Sequence, residues 1–293
     1  MGAGGASQRD AGGESLAGTL ITVAPTGAEV SKADAPALPV TVDELVDAAR
    51  DCRAAGAGMI HVHIRDEHGE PTLDLGRLRE TVAALRAETD LVVQLSTGGA
   101  VSDPEPDRLR VLDADPDMAS CTMGTVNFGE DVFVNRWEFV VALHSRMQER
   151  GIVPEYEIFD LGQLWALARL LDRHGLPAGG HVHLDLVMGV PGGMPGTTRA
   201  FTACLDAIRD LPDGTTFSAT GIGRTTLPVT FASLSAGGHL RVGMEDTLSY
   251  AKGQPVESNA QLVARAAELA RLAQRPPLDP DQVRSLLRLK GGR

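Results

Sequence analysis

Eight short apolar or alternating segments, separated by stretches of helical spacing, follow one another over about 270 residues, and the sequence therefore predicts an α/β fold, a closed (β/α)8 TIM barrel. Two further observations favour it. Polar residues alternate with apolar ones in several of these segments, so that one face of each strand carries chemistry and the other packs on helices. No GxGxxG opens a helix after the first segment, which weakens the doubly wound alternative. The barrel takes residues 18–293 as a single domain. Residues 1–17 (MGAGGASQRDAGGESLA) hold too little apolar bulk to offset ordering entropy and are expected to form a disordered tail.

In chain order, the first strand is Thr19 to Pro25 (TLITVAP), followed by a loop over 26–39 that is too long to be a mere connector. Thr41 caps the first helix with Glu44 at N3, a capping-box pattern, and Gly56 follows its end. The second strand is Met59 to Asp66 (MIHVHIRD). A helix over 75–88 leads to the strand Leu91 to Thr97, and a short helix over 105–112 to the strand Met118 to Asn127. Helices over 134–149, 162–174 and 198–210 then precede the strands Glu155 to Asp160, His181 to Val190 and Thr216 to Arg224. The eighth strand is His239 to Asp246, before a helix over 257–273 and a short terminal one.

Composition excludes several function classes. A net charge of −12 and a pI near 5.1 leave no basic footprint for nucleic acid or an anionic membrane. Lysine occurs only at 32, 252 and 290, none in a central strand, which argues against Schiff-base chemistry. Cys52, Cys121 and Cys204 are odd in number and lack CxxC spacing, so they read as packing residues of a reducing cytoplasm. No apolar run reaches the length of a membrane span.

The second strand carries the sharpest signal. Ile60, Val62 and Ile64 face one way, and His61 and His63 project together the other way with Cβ atoms roughly 6 to 7 Å apart, a spacing that suits a divalent metal. In the eighth strand Leu240, Val242 and Met244 point outward and Arg241, Gly243 and Glu245 inward, so Glu245 stands at a depth similar to His63. His61, His63 and Glu245 make the His2Glu pattern of a catalytic zinc site with an open position. Asp246, beside Glu245 and near Arg241, is the candidate general base. His181 and His183 alternate in the same way with Asp185, and either HxH pair suits a metal. The first is favoured because it ends in the polar Arg65-Asp66-Glu67 turn, whereas His181 follows Gly179-Gly180 at the structural end of a barrel strand. Asp185 is a candidate contact for a polar or cationic part of a substrate. Ser96-Thr97-Gly98-Gly99 and the glycine-rich segments 189–193 and 221–224 close three strands where a barrel builds its mouth, offering backbone N–H groups and hydroxyls to a carboxylate.

These segments, APTGAEVSKADAPALPVT, IHVHIRDEHGEP, QLSTGGAV, GTVNFGEDVF, GVPGGM, GIGR, GGHLRVGMEDT and ESNAQLV, resemble in order the β-keto acid cleavage enzymes, a zinc barrel family that includes 3-keto-5-aminohexanoate cleavage enzyme. The resemblance implies acyl exchange: a β-keto acid and acetyl-CoA give acetoacetate and a second acyl-CoA. It implies Zn2+ on His61, His63 and Glu245, chelating the substrate's keto and carboxylate oxygens. It further implies proton removal by Asp246 assisted by Arg241 and Glu29, and a carboxylate held by Ser96 and its glycines with Ser120. Homo-oligomers, tetramers or dimers, are also implied. Two departures bear on the acyl group: Ser120 stands where the lysine-fermentation member has Thr, and Asp185 stands near an amide there. A cationic substituent facing Asp185 or Glu157 is the corresponding expectation.

Two other readings stand beside this one. A zinc hydrolase of the amidohydrolase type also uses HxH in a barrel, but places it on the first strand and often adds a carboxylated strand lysine. A non-enzymatic metal-binding barrel has no need of Arg241, Glu245 and Asp246 together.

Overall fold

Hydrogen bonding joins eight parallel strands into a closed barrel in which chain neighbours pair throughout and the last strand pairs with the first. They are β1 (Ile21–Val23), β2 (Met59–Val62), β3 (Val92–Leu95), β4 (Met118–Thr122), β5 (Val153–Ile158), β6 (His183–Met188), β7 (Thr216–Gly221) and β8 (His239–Val242). Closure rests on Ile21 against Leu240 and Val23 against Val242. This is a computed structural model, and it describes residues 18–289; the expected tail over 1–17 lies outside them. Among the described residues, no helix is long and apolar enough to cross a membrane.

The helices are α1 (Val42–Ala55), α2 (Leu75–Glu88), α3 (Glu105–Arg110), α4 (Trp137–Arg150), α5 (Gly162–His174), α6 (Thr198–Ile208), α7 (Thr226–Ser235), α8 (Asn259–Leu272) and α9 (Pro280–Leu286). Local chemistry sets their ends. At α1 both halves of the capping box form between Thr41 and Glu44, and Gly56 ends the helix in the left-handed region at φ 119°. The outward strand residues Ile60, Val62 and Ile64 pack in one core with Leu45, Ala49 and Cys52 of α1 and Leu78, Val82 and Leu85 of α2. Each such large side chain contributes roughly 1.5–3 kcal/mol on leaving water. At the N-terminal end, Leu20, Met59, Val92, Met118 and Val153 form a plug capped by Leu278, Val283 and Leu287 around α9. That end is therefore closed, and chemistry is confined to the other.

Several strands stop earlier than alternation predicts, and each early stop shapes the site. β2 ends at Val62, and Ile64–Arg65 leave the barrel to pair antiparallel with Pro71–Thr72. β4 ends at Thr122, and the chain beyond makes a hairpin of Val126–Phe128 with Asp131–Phe133. β6 begins at His183, leaving His181 below it, after a 3-10 turn over Ala178–Gly180. β8 ends at Val242, and residues 243–246 turn, with Asp246 N and Thr247 N both donating to Gly243 O. Only glycine fits there, because a Cβ on Gly243 would lie 1.8 Å from Ala24 O.

Candidate active site at the barrel mouth

A cavity of about 450 Å3 opens at the C-terminal ends of the strands. Its floor is polar, with His63, Glu157, Arg241, Glu245 and Asp246; its walls are largely apolar, with Phe128, Phe133, Phe159, Val187 and Val190 prominent. The hairpin over 126–133 forms one wall and is braced from the far side, where Gly129 N donates to Pro191 O at 2.9 Å. Glu29 reaches the cavity from the long loop after β1, which Arg65 pins by donating to Gly27 O and Val30 O, both at 2.7 Å.

His61, His63 and Glu245 converge at this floor, with one ligand atom from each lying within 4.8 Å of the others. Glu245 Oε1 is 3.9 Å from His61 Nε2 and 3.7 Å from His63 Nε2. These separations are too long for hydrogen bonds, so the three donors face one another without bonding. Glu245 Oε2 is buried and, among the described residues, has no hydrogen-bond partner. Burial keeps the His63 imidazole neutral, its pKa lowered to about 4. Burial works against the charge on Glu245, but Arg241 and the two imidazoles outweigh it and hold the carboxylate down at about 2. Two imidazoles and an ionised carboxylate, with an orphaned oxygen among them, are the donor set that a divalent cation such as Zn2+ takes.

Arg241 gathers the acids around this cluster. Its Nη2 lies 2.9 Å from Asp246 Oδ1 and also bonds Glu245 Oε1; its Nη1 lies 3.4 Å from Glu157 Oε1 and 4.0 Å from Asp185 Oδ2. The turn after β8 makes this possible. In a strand running to Asp246, Glu245 and Asp246 would point to opposite faces; in the turn, both face Arg241. Asp246 is pushed up to about 6, by burial first and by the neighbouring Glu245, with Arg241 pulling the other way. The four carboxylates outweigh the burial of Arg241 and keep it firmly cationic.

Of the residues singled out from sequence, Glu29, His63, Ser96, Gly98, Gly99, Arg241, Glu245 and Asp246 line the cavity, and His61 stands just behind it in the cluster. Ser96 Oγ accepts from Gly98 N at 3.1 Å, which holds the glycine turn against the wall. Thr97, Ser120 and Asp185 do not line this cavity. Thr97 and Ser120 are fully buried and bond each other, Thr97 N to Ser120 Oγ at 3.1 Å and Thr97 Oγ1 to Ser120 O at 2.8 Å. They tie the chain just beyond β3 to the middle of β4. Asp185 is fully buried beneath Arg241, with Thr220 Oγ1 donating to its carboxylate at 2.7 Å. Burial and Glu155 push its pKa well above the usual carboxylate range. Asp185 does not line the cavity, whereas Glu157 does.

Among the described residues, the second HxH pair belongs to no such cluster. His181 Nε2 and His183 Nδ1 share Thr216 Oγ1 at 2.8 Å each, and His183 Nε2 lies 3.2 Å from Glu155 Oε2. Gln94 and Glu155 escaped notice in the sequence, though alternation marks both: Gln94 lies between Val93 and Leu95, and Glu155 precedes Tyr156. A polar residue at an inward barrel position was the available signal.

Comparisons with known proteins bear on what this geometry does. The family model described as beta-keto acid cleavage enzyme matches residues 19–289. The 3-keto-5-aminohexanoate cleavage enzyme of Acetoanaerobium sticklandii is 36% identical over 274 residues, covering 92% of this chain and 97% of that protein. The 3-oxoadipate:acetyl-CoA acetyltransferase of Cupriavidus necator is 34% identical over 271 residues, covering 92% of this chain and 94% of that protein. Among solved structures, apo ObcA superposes with a TM-score of 0.75 at 19% identity, covering 87% of this chain and 66% of that one, a likeness of fold.

Proposed function

Since the chain belongs to the beta-keto acid cleavage enzyme family, we propose that it exchanges acyl groups between a β-keto acid and acetyl-CoA, giving acetoacetate and the CoA ester of the remaining acyl group. The observation that carries this reading is the convergence of His61, His63 and Glu245 on the floor of the cavity, with Asp246 and Arg241 alongside. Relatives that share the family act on different keto acids with acetyl-CoA, as their names state. Acetyl-CoA is accordingly the co-substrate.

The chemistry balances without water. Asp246 accepts a proton from the carbon between the keto and carboxylate groups, and the resulting carbanion attacks the thioester carbonyl of acetyl-CoA, releasing CoA thiolate. The thiolate then attacks the original keto carbon, and the bond to the central carbon breaks. The proton held by Asp246 returns to that carbon, which leaves as acetoacetate. Zn2+ held by His61, His63 and Glu245 would act as a Lewis acid that stabilises enolate charge, a contribution of several kcal/mol. Arg241 fixes the Asp246 carboxylate at the cavity edge, and Glu29 faces the same space from the opposite loop. Ser96, Gly98 and Gly99 offer a hydroxyl and a glycine turn where the substrate carboxylate docks. The phenylalanine walls give the reacting groups a largely apolar surround, which disfavours thioester hydrolysis. Three buried, unpaired cysteines suit a cytoplasmic setting, and a homo-oligomer is the proposed assembly.

The test is acetoacetate formation from acetyl-CoA and a panel of β-keto acids, comparing protein as purified, chelator-stripped and zinc-restored. CoA-dependent turnover that is lost on stripping and regained with zinc supports the reading. Full turnover after verified metal removal overturns the metal site, and hydrolysis without CoA dependence points to the hydrolase.

A further inference from the structure

We infer that Gln94 and Glu155 are positioning residues, which fix His61 in a single tautomer and turn its Nε2 toward the cavity; this rests on the reading of His61, His63 and Glu245 as a metal centre.

The inference follows from donor and acceptor logic along one buried row. His61, on β2, pairs in register with Gln94 on β3. Their side chains meet inside the barrel, His61 Nδ1 to Gln94 Oε1 at 2.5 Å. The other end of the amide, Nε2, donates to Glu155 Oε1 at 3.2 Å. An ionised carboxylate only accepts, so the amide nitrogen must face Glu155 and the amide oxygen must face His61. Glu155 is ionised: burial opposes its charge, but the adjacent His183 wins and holds it below the usual carboxylate range. An amide oxygen also only accepts, so the proton of a neutral His61 must sit on Nδ1. Its lone pair then lies on Nε2, the atom 3.9 Å from Glu245 Oε1.

The row continues downward. Glu155 Oε2 lies at ion-pair distance, 3.2 Å, from His183 Nε2, which also bonds Ser218 Oγ at 3.2 Å, and Thr216 Oγ1 joins His183 to His181. Gln94 and His183 are fully buried, and Glu155 is 1% exposed, so these three cannot turn over by bonding to solvent. The second HxH pair thus has a use: it anchors the lower end of a polarised chain whose upper end is a metal ligand. Outer partners of this kind are commonly worth 10- to 100-fold in metal affinity.

Two measurements test it. On metal-free protein with labelled histidine, two-bond 1H–15N correlation reads the tautomer directly. The Nδ1–H form of His61 is expected in the wild type and its loss in Gln94→Leu; an Nε2–H form in the wild type overturns the inference whether or not zinc binds. Zinc titration of chelator-stripped protein then separates the row from the centre itself. Gln94→Leu is expected to bind about 10- to 100-fold more weakly than wild type at unchanged circular dichroism. Should that variant fail to fold, Gln94→Glu with and without Glu155→Gln decides. The single change sets two carboxylates against each other and weakens binding, while the double change exchanges amide and carboxylate and restores it. Equal affinity in all these proteins overturns the inference, and a wild type that binds no zinc overturns the metal centre while the tautomer result stands.

Discussion

The Arg241 guanidinium holds Asp246 at two points, Nη2 2.9 Å from Oδ1 and Nε 3.3 Å from Oδ2. A fork of this kind fixes the plane of a carboxylate as well as its place. Lysine carries the same charge on one rotatable point and lacks that geometry. Arg241→Lys is expected to fold and to lower kcat/KM about 100-fold, the scale at which a misplaced group costs rate. Arg241→Ala does more, because Glu157, Asp185, Glu245 and Asp246 then lose their shared cation; denaturant unfolding is expected to show a loss of about 3–5 kcal/mol. Wild-type turnover in the lysine variant would show that charge alone suffices.

Asp246→Asn separates proton transfer from metal binding. The amide keeps the shape of the side chain but cannot take the proton, so kcat is expected to fall roughly 10²- to 10⁴-fold. His61, His63 and Glu245 are untouched, and elemental analysis is expected to find the same metal content as in wild type. A kcat within threefold of wild type would move the base to another carboxylate that lines the cavity, Glu29 or Glu157 first among them.

Strand parity made much of this site legible in the sequence, and the limits of parity mark what was not. Side-chain alternation holds as long as a strand does, so His61, Arg241 and the apolar set Ile60, Val62 and Ile64 were placed correctly. It fails where strands end. Asp246 reaches Arg241 through the turn over 243–246, which depends on the close approach of Gly243 to Ala24 rather than on alternation. Thr97, Ser120 and Asp185 have inward or terminal positions, but which of them touches a ligand depends on depth along the barrel axis. Ser120 and Asp185 are fully buried, bonded to Thr97 and Thr220, and do not line the cavity. The hairpin over 126–133 is the clearest miss, since one uninterrupted strand was expected to run to Asn127.

The three thiols should be inert while the protein is folded. Burial pushes Cys52 and Cys121 up to about 12 and Cys204 to about 11. The thiolate is the reactive form, so raising the pKa this far above neutrality removes nearly all of it at pH 8. Iodoacetamide at pH 8 is expected to leave the native protein at its unmodified mass and to add three labels in denaturant, read by intact mass spectrometry. A label on one cysteine in native buffer would identify an element that opens locally.

Gly27 supplies the sharpest test of how Glu245 is placed. It sits at φ +65°, and a Cβ built on it would lie 2.7 Å from Glu245 Cγ and 3.1 Å from Glu245 Cβ. The loop cannot easily retreat, because Arg65 holds its carbonyls on both sides of Glu29. In Gly27→Ala it is therefore Glu245 that gives way, and its carboxylate moves relative to His61 and His63. Two costs arise. The left-handed backbone conformation costs an L-residue about 1–2 kcal/mol, and at about 2–4 °C per kcal/mol this lowers Tm by several degrees. The displaced carboxylate weakens zinc binding by about tenfold or more, at the lower end of what loss of ligand orientation costs. Gly253 separates the two effects: its φ is +78°, and nothing lies within 4 Å of the Cβ that alanine would add. Gly253→Ala should lose Tm and keep its zinc affinity, whereas Gly27→Ala should lose both in isothermal titration. Equal zinc affinity in the two variants would mean that the Glu245 carboxylate is held by Arg241 alone, with the loop after β1 serving only to carry Glu29.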